Sequence, residues 1–234
     1  MPNTATDNNE DPAALNAHIS LLEGKIAQLE KLQNGIVSVV ADIAEYRGRG
    51  TGAHIERTAA YLKILIKAML ARGKYTIELS GINPDMLCCS ARLYDVGKIV
   101  IPETILNKPG KLTNEEFELM KTHAVQGERI IDKIISIAGN DDEFLHNAKL
   151  FAGYHHERWD GKGYPRGLDR LNIPLQGRIM AIIDVYSALV SERPYKQAFT
   201  GEEAEKIIMD STGEMFDPLI AEVFYDAREQ FRAV

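Results

Sequence analysis

His155-His156-Glu157-Arg158-Trp159-Asp160-Gly161-Lys162-Gly163-Tyr164-Pro165 is the run from which the rest of the chain can be read. Two adjacent histidines are followed by a turn-forming, glycine-rich segment with an aromatic and a proline. Neutral imidazole is the commonest protein ligand for transition metals. Neighbours on a helix point about 100° apart, so adjacent histidines on a regular helix face two parts of a cluster more readily than they chelate one ion. Asp160 to Gly163 does not continue a helix, which puts the pair at a helix end with a loop folding over it. Taken alone, the pair reads equally well as cationic side chains against a helix C-terminus.

Working outward, further ligand types stand at His54, Asp95, His123 and Asp184. Each falls in a segment that reads as helix or helix end. A lone histidine on an apolar helix face is more often a satisfied core residue. Several such positions on separate helices, added to the histidine pair, suggest a bundle with an inward-facing metal site. Helix signals recur along the chain. A helix is expected from about Thr51 to Arg72, with His54 in its first turn. Asn83-Pro84 reads as an N-cap with proline at the first helical position, opening a helix expected to carry Cys88, Leu93, Tyr94 and Asp95. Thr113 with Glu116 forms a capping box ahead of the helix holding His123. That helix is broken at Gly139–Asp142, and the next, about Glu143–Arg158, delivers the histidine pair. Trp159–Pro174 is loop by composition, with Trp159 a packing residue beneath it. Leu175–Val190 is apolar enough for a central helix and carries Asp184. Thr200 with Glu203, and then Asp217-Pro218, open the last two helices. No segment alternates as a strand does, so the class is all-α.

The N-terminal part has a different pattern. Residues 1–12 are short, polar and without periodicity, as in a disordered tail. Leu15, Ile19, Leu22, Ile26, Leu29, Ile36, Val40 and Ile43 then follow alternating steps of four and three, with Gln33 in one slot. This gives about four heptads, the pattern of a coiled coil. A dimerisation helix over 13–46 and a helical domain over 47–234 are therefore expected, with a homodimer as the assembly. The alternative is one amphipathic helix packed on its own domain.

Composition sets limits. A chain of 234 residues can bury one sizeable core, and its formal charge is −7. That balance argues against general nucleic-acid or membrane-surface binding, so an anionic ligand needs a local basic cluster. The two cysteines, Cys88 and Cys89, are adjacent; they imply no disulfide framework and fit a reducing compartment. With neither a signal-peptide core nor an apolar run of about 20 residues, the expected location is the cytoplasm.

Several ordered segments carry a family resemblance. Arg92-Leu93-Tyr94-Asp95-Val96-Gly97-Lys98-Ile99-Val100-Ile101-Pro102 is similar to the signature His-Asp-x-Gly-Lys-x-x-Ile-Pro. Ile105 to Leu112, His155 to Leu168, Ile173-Pro174-Leu175, Arg178-Ile179, Asp184-Val185-Tyr186 and Arg193-Pro194-Tyr195-Lys196 follow in order. The chain from about Arg47 onward thus resembles HD-GYP domains, a branch of the HD phosphohydrolase superfamily. The resemblance implies a helical bundle with two divalent metal ions, iron or manganese, that hydrolyses cyclic di-GMP. In such a centre Asp95 matches the bridging carboxylate. His54 and Asp184 match ligands on one side, His123 and His155 ligands on the other, and His156 the second of the paired histidines. A metal pair roughly 3.5–4 Å apart binds a phosphodiester and stabilises the leaving oxygen. Lys98 matches the lysine beside the metals. Tyr164, Arg193 and Lys196 match positions expected near the substrate phosphates, where arginine forks onto phosphate and lysine offers a point charge.

Three positions depart from that pattern. Tyr94 stands where the family has the histidine of its name; it weakens one metal position or biases the site toward oxidised iron, since tyrosinate ligates ferric iron. Ser187 stands where an aspartate is usual, which removes an outer acceptor. Gly50 lies four residues before His54, where some members carry a glutamate for a third metal. Two readings follow. One is a cyclic di-GMP phosphodiesterase with an altered centre. The other is a dimeric adaptor without turnover that binds a nucleotide, or a signalling protein through the Gly-Tyr-Pro loop.

Overall fold

The structure, a computed structural model, describes residues 12–47, 53–139, 142–192 and 197–234. Among these residues it is helical, and no strand forms. The helices are α1 (Pro12–Arg47), α2 (Ala53–Ala71), α3 (Pro84–Ala91), α4 (Glu103–Leu106), α5 (Asn114–Ala138), α6 (Glu143–Tyr154), α7 (Leu175–Leu189), α8 (Gly201–Asp210) and α9 (Pro218–Arg232). Short 3₁₀ segments cover Val96–Val100 and Arg170–Asn172. The all-α class read from the sequence holds.

The boundaries follow capping chemistry. Asn83 accepts from the amides of Asp85 and Met86, with Pro84 opening α3. Thr113 with Glu116 and Thr200 with Glu203 form complete capping boxes. Gly139 ends α5 in the left-handed region, at φ 76°, where a side chain is strained and glycine is not.

Two helices end earlier than their sequences suggest. The helix expected to run through Asp95 stops at Ala91. Arg92, Leu93 and Tyr94 donate instead to Cys89, Ser90 and Ala91, three residues back, and the Ser90 hydroxyl donates to the Met86 carbonyl. These tighter bonds wind the chain into a turn. The helix expected to reach Arg158 stops at Tyr154. His155 Nδ1 lies 2.9 Å from the Phe151 carbonyl and 3.1 Å from that of Ala152. The side chain thereby satisfies carbonyls that a further turn of backbone would have taken.

The chain divides into two units, the first ending at Ile36 and the second spanning Val37–Val234. In the first, every described residue is exposed, including the heptad positions Leu15, Ile19, Leu22, Ile26, Leu29 and Ile36. In the second, two apolar clusters form. The larger joins Leu62, Leu65 and Ile66 of α2 to Ile179, Ile182 and Tyr186 of α7 and to Phe224 and Phe231 of α9. The smaller joins Val37 to Leu93, Val96, Ile131, Phe144, Leu145 and Ala148. Helix α7 is buried over most of its circumference, as a central helix must be. The turn after α3 has anchors in both clusters: Tyr94 in the larger, Leu93 and Val96 in the smaller. Asp95 is fixed between them.

Candidate metal centre

The turn presses against α5 at Gly97. A Cβ at this position would collide with the His123 carbonyl oxygen and lie 2.5 Å from the Gly127 amide. Glycine is therefore required for the backbone carrying Asp95 to approach the backbone carrying His123. From the other side the end of α6 brings His155, whose ring centroid is 5.3 Å from that of His123. His156 follows, 4.1 Å from His155 and 5.0 Å from His123, ring to ring. One ligand atom from each of the three histidines falls within 4.8 Å of the others. The pair read from sequence as facing two parts of a cluster thus converges with His123, because α6 ends at Tyr154 and the residues beyond it leave regular helix.

The tautomers follow from the backbone. His123 Nδ1 lies 2.8 Å from the Met120 carbonyl, and His155 Nδ1 faces two carbonyls. A carbonyl only accepts, so both Nδ1 atoms carry protons. In the neutral rings the lone pairs are then on Nε2, and these two atoms lie 3.3 Å apart. Asp95 Oδ1 lies 3.5 Å from His123 Nε2 and 3.8 Å from His155 Nε2. It is buried without a hydrogen-bond partner. Three acceptors thus face one another, an arrangement that calls for a cation.

Electrostatics agrees with the geometry. Burial pushes His123 down to about 4, against the pull of Asp95. Burial, with His155 and His123 beside it, pushes His156 well below the usual imidazole range. Both rings are neutral at pH 7, the form that binds metal. Burial raises Asp95, but Lys98, His123 and His155 outweigh it and hold the carboxyl below the usual carboxylate range. Lys98 Nζ donates to Asp95 Oδ2 at 2.5 Å, which leaves Oδ1 pointing at the histidines.

His54 of α2 and Asp184 of α7 are adjacent to this cluster and are joined differently. His54 Nε2 lies 3.0 Å from the Tyr94 hydroxyl. That hydroxyl donates to Asp184 Oδ1 at 3.2 Å. On the far edge of the ring, His54 Nδ1 lies 2.8 Å from Ser187 Oγ. Burial, then the charges of Asp95 and Asp184, raise Tyr94 well above the usual phenol value.

Tyr164 lies over the histidines, its ring 4.7 Å from that of His156, and its amide donates to the His156 carbonyl at 3.1 Å. Arg193, Lys196 and Gly50 lie outside the described residues. Sequence reasoning missed what holds the loop in place. Buried Glu157 accepts from the amides of Arg166 and Leu168 at 2.7 and 2.9 Å. Arg166 pairs with Glu128 and donates to the Gly153 carbonyl at 3.0 Å. Gly163 packs where a Cβ would lie 2.6 Å from Glu157 Cα and from the His156 carbonyl. The available signal was a carboxylate directly after the histidine pair, in a segment otherwise read as open loop.

The comparisons with known proteins fit this geometry. A family model described as HD domain matches residues 38–220. A cyclic di-GMP phosphodiesterase of Vibrio cholerae is 41% identical over 222 residues, covering 94% of this chain and 44% of the relative. A probable cyclic di-GMP phosphodiesterase of the same organism is 40% identical over 204 residues, covering 87% and 46% respectively. The chain thus spans about half the length of these relatives. The crystal structure of a V. cholerae cyclic GMP-AMP-specific phosphodiesterase aligns with a TM-score of 0.57 at 20% identity, over 86% of this chain and 50% of that one. That likeness concerns the fold.

Proposed function

Starting from the chain's membership of the HD domain family, we propose that it is an HD-GYP-type, metal-dependent phosphodiesterase acting on cyclic di-GMP. One observation carries the reading: buried Asp95 Oδ1, without a hydrogen-bond partner, faces the Nε2 atoms of His123 and His155. Asp95, His123, His155 and His156 would hold a divalent ion, and their mixed carboxylate and imidazole donors suit iron or manganese. Such an ion supplies Lewis acidity toward a phosphodiester oxygen and toward water. The chain's own residues do the rest. Lys98 orients Asp95 and neutralises its outer oxygen. The loop held by Glu157 and Arg166 keeps Tyr164 over the histidine rings, where its hydroxyl can reach a substrate phosphate. Arg193 and Lys196 would supply cations to the phosphates. The substrate follows from the names of the relatives.

A homodimer through residues 13–36 completes the proposal, supported by the exposed heptad positions on α1. No described helix is long and apolar enough to cross a membrane.

The adaptor reading has one observation in its favour: the Tyr94 hydroxyl bonded to His54 and Asp184. Anaerobic turnover of cyclic di-GMP by iron- or manganese-loaded protein separates the two. Product that disappears in Asp95→Ala establishes the enzyme. Folded, metal-loaded protein that binds the dinucleotide without releasing linear product establishes the adaptor.

A further inference from the structure

The geometry points to a site for one metal ion, with the Tyr94 phenol joined to His54 and Asp184 where a second ion would have to bind. This rests on the metal reading above.

The space is occupied: the Tyr94 hydroxyl oxygen lies 3.0 Å from His54 Nε2 and 3.2 Å from Asp184 Oδ1, and the hydrogen bonds are consistent with it. The Tyr94 hydroxyl has one proton, and it is donated to Asp184 Oδ1. The contact between that oxygen and His54 Nε2, at 3.0 Å, is then a hydrogen bond only if Nε2 is the donor. With the proton on Nε2, the lone pair of the neutral ring is on Nδ1, which accepts from the Ser187 hydroxyl at 2.8 Å. Ser187, His54, Tyr94 and Asp184 thus form a continuous chain of contacts in which the phenol oxygen occupies the space between His54 Nε2 and Asp184 Oδ1 that a second ion would need. An ion needs an imidazole lone pair about 2 Å away. The contrast with His123 and His155 is direct: their Nδ1 protons go to backbone carbonyls, leaving Nε2 bare beside Asp95 Oδ1.

Ser187 and Tyr94 act together. A carboxylate at position 187, which only accepts, would hold the proton on His54 Nδ1 and free Nε2, the usual way an outer partner sets the tautomer of a ligating histidine. Both changes are needed for a second ion, one to turn the imidazole and one to remove the phenol.

The test is metal stoichiometry and manganese EPR on the full chain, loaded anaerobically with Mn(II) or Fe(II) and freed of unbound ion. The expected content is one ion per chain, with an uncoupled Mn(II) spectrum. His54→Gln and Asp184→Asn should each keep that one ion, His155→Gln should lose it, and Tyr94→His/Ser187→Asp should take up two with a spin-coupled spectrum. Two ions in the unaltered protein, or loss of the ion in folded His54→Gln and Asp184→Asn, would overturn the inference while leaving the metal reading intact. No bound ion in the unaltered, folded protein would remove both.

Discussion

At the scale of single residues, the centre depends on two side-chain features that are easy to disturb. Asp95 keeps one oxygen on Lys98 and points the other, unpaired, at two imidazole lone pairs. Removing the carboxylate relieves the crowded acceptors and takes away the only anion among them. Asp95→Ala should therefore lose bound metal by at least tenfold in affinity, the scale on which even outer partners of a metal site act, while circular dichroism stays helical; retention of full metal would refute its role. Gly97 is the second feature. Gly97→Ala forces a methyl against the α5 backbone at His123 and Gly127. Overpacking against backbone costs about 3 kcal/mol, which a melting-temperature measurement would read as a drop on the order of 6–12 °C for a chain of this size. The residue identities were legible in the sequence. The clash that requires glycine was not, because residues 97, 123 and 127 approach one another only across two elements.

At the scale of elements, the loop after α6 is a built structure. Glu157 serves as an internal acceptor for two amides of its own loop, and the Arg166 guanidinium lies 4.3 Å from the centre of the Tyr154 ring. Glu157→Ala removes the acceptor of two part-buried amide donors, at up to about 1–3 kcal/mol each. The expected result is a lower melting temperature together with accelerated proteolysis confined to the 157–168 stretch. Uniform cleavage across the chain would mean that the carboxylate supports the whole fold and not this loop. Composition marked the segment as lacking helix, correctly. Its order escaped sequence reading because one charged side chain satisfying backbone groups nine and eleven residues away leaves no periodic trace.

At the scale of the whole molecule, the change in character along α1 has a practical consequence. Val37, Ala41 and Ala44 are buried within the second unit, whereas the heptad positions up to Ile36 are exposed. Removing residues 1–35 should then give a folded monomer by light scattering if the heptads pair two copies. A shortened protein that remains dimeric would assign the contact elsewhere. Removing residues 1–46 instead takes buried Val37, Ala41 and Ala44 with it, and chemical denaturation should show a loss of about 3–5 kcal/mol, from about 1.5–3 kcal/mol for a buried valine and about 0.8 kcal/mol for each alanine methyl.

The sequence by itself determined the all-α class and the helix starts at Asn83, Thr113 and Thr200, and it singled out His123, His155, His156 and Asp95 as candidates. These follow from local rules: a cap is satisfied within three residues, and an apolar stripe is periodic. It also raised the doubt about Tyr94 and Ser187 without resolving it. Only the tertiary structure decided where α3 and α6 stop, how adjacent histidines meet a third, and which groups face the two ring nitrogens of His54. The physical reason is that a tautomer is set by its partners. Those of His54 are Tyr94 and Ser187, 40 and 133 residues away in sequence, and folding alone brings them to the two edges of one ring.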